Sequence, residues 1–152
     1  MDSSRVVGEI QLVLAPAVMI SSSALLLLGF QTKFSNLANR FRALNHEKRE
    51  LAKKERREAR EEERYLNLSM QVGHLLRRAT QVKNAILLAY AAILLFLATS
   101  VLIFVNIRSE ASISFWVVFA FLAGLVLELI ASIVMMVEVM LAFKVVRLES
   151  TN

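Results

Sequence analysis

Two carboxylates stand inside the most apolar stretch of the chain, Glu128 and Glu138. With Gly124, Ala131, Met135 and Ala142 they repeat at 4-3-4-3-4 spacing, one continuous helix face combining small residues with acids. The two acids lie about 15 Å apart along such a helix. A carboxylate near mid-bilayer costs on the order of 2.5–3.5 kcal/mol on insertion scales, so each must face protein or water. Depth counting from the charged ends of the apolar stretches places Pro16, Thr99 and Ser100 level with Glu128. Pro16 has no N–H to give the Leu12 carbonyl. One expectation is therefore a polar cluster of Glu128, that carbonyl and the Thr99 and Ser100 hydroxyls, able to hold a cation, a proton or an ordered water. The other is a protonated Glu128 in a helix-to-helix hydrogen bond. Glu138 is expected to form an ion pair with Lys83, Arg77 or Arg40, and Glu9 to pair with Arg5 or Arg108. A ring of Glu9 in an oligomer would instead make a cation-attracting mouth.

Other chemistries find little support. With no cysteine there is no disulfide, thiol nucleophile or cysteine metal site. His46 and His74 lack metal-ligand spacing, and the 4 glycines form no phosphate loop or dinucleotide fingerprint. The sequence predicts no catalytic, cofactor-binding or metal site, and no enzyme.

The elements that would position these residues are three apolar blocks, each about long enough to cross a bilayer. They are predicted at 9–30, 84–107 and 115–143, with a short external N-terminus at 1–8, an external loop at 108–114 and a cytoplasmic tail at 144–152. An apolar fraction of 57% and a mean hydropathy of +0.55 agree with lipid as solvent. The net charge of +5 lies between lipid-length segments, where the positive-inside rule accounts for it, so no nucleic-acid partner is expected. In the first block Gly8, Ala15, Ser22 and Gly29 trace a stripe of small residues suited to close helix approach. Ser21, Ser22 and Ser23 are expected to bond their own backbone or a neighbouring helix.

Residues 31–83 carry about three-quarters of the chain's 18 Lys and Arg. Phe34, Leu37, Phe41, Leu44 and Leu51, then Val72, Leu75, Ala79 and Val82, keep helical spacing on either side of KKERREAREEER. Glu50–Lys54, Lys54–Glu58 and Arg57–Glu61 are i,i+4 pairs that suit a solvated helix. No Gly or Pro marks the reversal; Asn45 and Tyr65–Ser69 are the candidate turns, with Ser69 as a helix cap. The fold class predicted is all-α: a polytopic membrane protein of three transmembrane helices, with a long cytoplasmic helical hairpin between spans one and two. The bias of Lys and Arg puts the hairpin and C-terminus in the cytoplasm and the N-terminus outside, in a plasma (bacterial inner) membrane.

IQLVLAPAVMISSSALLLL, RFRALNHEKREL and LLRRATQVKNAILLAYAAILLF, followed by a third span with acidic residues, form a pattern. It resembles the domain-of-unknown-function 2721 family, small and mostly bacterial membrane proteins. The resemblance covers about residues 9 to 149, most specifically in Ala-Pro-Ala and LLRRA. It implies a three-helix architecture, no established activity and no functional residues to carry over.

Of two functions the sequence favours the first. The first is a homo-oligomeric ion channel or permeation module, several copies supplying the polar face that three helices cannot close alone. The second is a non-transporting scaffold or regulatory subunit acting through the charged hairpin. There Lys53, Lys54, Arg56 and Arg57 would contact membrane lipid or a protein partner.

Overall fold

The computed structural model describes residues 3–53, 59–108 and 113–149. Among the described residues there are three helices: α1 (Ser3–Ala52), α2 (Ala59–Arg108) and α3 (Ser114–Glu149). Each contains a stretch long and apolar enough to cross a membrane. Helices of this length arise because turn-forming residues are scarce: Pro16 is the only proline, and among the described residues no backbone φ is positive. The reversal between α1 and α2 falls after Lys53, whose amide closes a last turn on the Arg49 carbonyl at 3.2 Å. Asn45 and Tyr65–Ser69, the expected turns, are helical. Their polarity serves contacts between helices instead: Ser69 accepts a hydrogen bond from Lys48 Nζ at 2.8 Å rather than capping a helix. Between α2 and α3, the Ile113 amide donates to Asn106 Oδ1 at 3.3 Å, and its carbonyl accepts from the Trp116 amide at 2.9 Å.

Periodicity explains the packing. On α2, Leu68, Leu75, Val82, Ala89, Phe96 and Ile103 recur every seven residues and are buried, and Ala85, Ala92 and Thr99 form a second buried row. On α1, Pro16, Ser23, Phe30 and Leu37 keep the same period. Seven-residue repeats of this kind hold two long helices in continuous side-by-side contact. The alanines of α2 let its neighbours come close. α2 is central: α1 and α3 pack along it and barely touch each other. Large apolar side chains such as Leu25, Leu94, Phe115 and Phe143 point outward, as lipid-facing positions do.

Candidate functional site

The third helix turns its acidic face inward. Of the face read from spacing, Gly124, Glu128, Ala131, Met135 and Glu138 are buried and Ala142 is half-buried. Glu138 is 1% exposed and joins all three helices. Its Oε1 accepts from Arg78 Nε and lies 2.9 Å from Arg78 Nη2, and its Oε2 meets the Lys33 ammonium. These partners differ from the expected Lys83, Arg77 and Arg40, which are exposed. Helix phase is the reason. Arg78 lies three residues after Leu75 and four before Val82, on the buried face, whereas Arg77 is turned away by about 100°. Lys33 holds the same relation to Phe30 and Leu37 on α1.

Glu128 is buried too, and its Oε2 accepts a hydrogen bond from Ser23 Oγ at 2.5 Å. The expected cluster with Pro16, Thr99 and Ser100 is not what forms. Thr99 donates to the Leu95 carbonyl at 2.8 Å and Ser100 to the Phe96 carbonyl at 3.1 Å, both within α2. Pro16 is buried, but it lies about 10 Å along α1 from Ser23. The apolar run of α3 reaches further toward the arm than that of α1, so depths counted from their ends are not level. Ser23–Glu128 spans 105 residues, and Lys33–Glu138 has the same offset, so α1 and α3 run parallel in a fixed register. That register puts Phe143 level with a point beyond Phe30 on α1. The Ser23–Glu128 bond is the helix-to-helix contact expected at Glu128 as the alternative to the cluster, made by one of the three serines expected to reach a neighbouring helix.

The stripe of small residues lies elsewhere. Ala15, Ser22 and Gly29 are exposed, and a Cβ on Gly8 or Gly29 would meet nothing within 4 Å. Ser21 bonds its own backbone, at the Ala17 carbonyl. Glu9 lies on α1, its side chain outside the described part. Lys53 pairs with Glu50 at 2.9 Å, while Lys54, Arg56 and Arg57, with the i,i+4 pairs they would make, lie outside the described residues. The hydrogen bond and charge of Lys53 hold the Glu50 carboxyl below its ordinary range. That contact is complete above the usual carboxylate range and is lost as pH falls through the lowered value.

Beyond the apolar stretches α1 and α2 stay together as a charged arm. Arg64 Nε donates to Glu47 Oε1 at 2.9 Å, and Lys48 lies 5.5 Å from the Tyr65 ring centroid. A groove of about 420 Å³ opens there, lined by Leu44, Glu47, Arg60, Glu63, Arg64, Asn67, Leu68 and Gln71. Leu66 and Met70, one turn apart on the same arm, are exposed. Among the described residues no three His, Asp or Glu side chains converge as a metal-binding set.

A family model described as a protein of unknown function, DUF2721, matches residues 13–148. The chain belongs to that family. No curated protein and no solved structure matches it. The features of this DUF2721 chain that bear on function are the two buried carboxylates and the charged arm. The matched region contains Ser23, Lys33, Arg78, Glu128 and Glu138.

Proposed function

We propose that this membrane protein is a non-transporting, non-enzymatic scaffold or regulatory subunit whose working end is the charged arm. The observation that carries this reading is the enclosure of both span carboxylates. Glu128 is engaged by Ser23, and Glu138 by Lys33 and Arg78, within a single chain. An acidic face turned onto its own helices is not free to line a channel between copies. The positive-inside bias puts the arm in the cytoplasm as a helical hairpin. There the exposed Leu66 and Met70, beside a groove of mixed charge, suit a protein partner with an apolar anchor and a charged rim.

Photo-crosslinkers at Asn67 and Gln71, in cells, test this reading. The expected result is one discrete heterologous adduct, lost in Met70→Glu and kept in Glu128→Gln. Adducts formed only with other copies of the chain would refute it. The exposed stripe of Ala15, Ser22 and Gly29 favours a second reading, a homo-oligomeric permeation module packed through α1. In that case a crosslinker at Ser22 gives self-adducts, and Gly29→Leu abolishes them.

A further inference from the structure

Charge is not spread evenly along the arm. The outer part, residues 47–64, carries eight bases against seven acids. The inner parts, 31–46 and 65–83, carry Lys33, Arg40, Arg42, Arg77, Arg78 and Lys83 and no acid at all. Within this inner group Lys33 and Arg78 are about a quarter exposed and turned onto Glu138. Arg40, Arg42, Arg77 and Lys83 are exposed, and among the described residues none of them makes an ion pair or hydrogen bond.

Depth fixes what these four cations can reach. Trp116 and Glu138 on α3 are separated by about 33 Å, one hydrocarbon thickness, so Glu138 marks the boundary on the arm side. Arg40 and Arg42 lie roughly 10–14 Å past Lys33 along α1, Arg77 is next to Arg78 at the level of Glu138, and Lys83 lies about 8 Å to the membrane side of Arg78 along α2. With long side chains they can return to the headgroup layer. Lys53 lies about 30 Å past Lys33, nearly four Debye lengths from that boundary at physiological salt. There the surface field is screened, and the surrounding acids cancel most of the charge.

The geometry points to a basic collar, Arg40, Arg42, Arg77 and Lys83, that binds anionic phospholipid headgroups where the arm leaves the bilayer. The outer cations Lys53, Lys54, Arg56 and Arg57 do not contribute. The cations occur on both α1 and α2, at positions that turn to different sides of each helix, which suits a lipid surface better than one soluble anion. Lys33 and Arg78, both turned onto Glu138, tie the bundle together and set the depth of the collar. This inference rests on the membrane-spanning reading alone and stands whether or not the arm has a protein partner.

Native mass spectrometry of the full chain, titrated with phosphatidylglycerol or phosphatidylcholine in mild detergent, tests it. The wild type is expected to retain phosphatidylglycerol preferentially. Neutralising Arg40, Arg42, Arg77 and Lys83 to Gln is expected to weaken that retention by more than about tenfold, each cation near an anionic surface being worth roughly fivefold. Neutralising Lys53, Lys54, Arg56 and Arg57 to Gln should change it by less than about twofold. A charge-keeping variant, R40K/R42K/R77K, should retain the preference and controls for misfolding. Three results would overturn the collar: no preference in the wild type, equal loss in the outer variant, or displacement of phosphatidylglycerol by inorganic phosphate at matched ionic strength.

Discussion

At the scale of residues, the two acids of α3 differ in what they can lose. Glu138 is enclosed while its cations keep a way out to water, so their removal should be asymmetric. The double variant Lys33→Met/Arg78→Met strands a buried carboxylate and is expected to cost about 3–5 kcal/mol. Glu138→Gln lets both cations turn outward and should cost less than half of that. Thermal unfolding in detergent ranks the two. At Glu128, Ser23→Ala removes the hydroxyl bonded to the carboxyl and should cost about 1–3 kcal/mol. Glu128→Gln keeps an acceptor for Ser23 and should fall under about 1 kcal/mol, measured in the same way. A Cβ at Gly124 would come within 2.7 Å of Phe96 Cε1, on a ring that is itself fully buried. Gly124→Ala is therefore expected to destabilise by about 1–3 kcal/mol, the cost of overpacking.

At the scale of elements, Gly29 gives the opposite expectation from Gly124. Open space surrounds it, so Gly29→Ala should stabilise by up to about 1 kcal/mol through helix propensity. Destabilisation there, seen together with a smaller oligomer by light scattering, would show that another copy covers the α1 stripe. The helices and their buried faces were legible in the sequence because burial repeats with helix period: Gly124 to Glu138 on α3, and Leu37, Leu75 and Val82 on the arm. Partner choice was less legible, since it depends on register between helices. Counting depth from the end of each apolar run treats Phe30 and Phe143 as level, although the α3 run reaches further toward the arm, and so pairs Pro16 rather than Ser23 with Glu128. The turn was misplaced for a related reason. Asn45 and Ser69 look like loop residues locally, but the seven-residue seam continues through both, and packing outweighs local preference.

At the scale of the whole molecule, α2 holds the fold together. α2 carries a neighbour along each side, and Glu138 binds all three helices at one level. The chain has 0 cysteines, so single cysteines can be introduced without removing native ones. In intact cells, a cysteine at Asn67 should resist a membrane-impermeant maleimide, and one at Ile113 should react. The reverse pattern would invert the topology. The most direct measurement is cation flux through proteoliposomes that hold the purified protein. With both span carboxylates engaged inside each chain, wild type and Glu128→Gln should be indistinguishable from protein-free vesicles. Cation flux above that background in the wild type, abolished by Glu128→Gln, would contradict the scaffold reading and make Glu128 part of a conduction path.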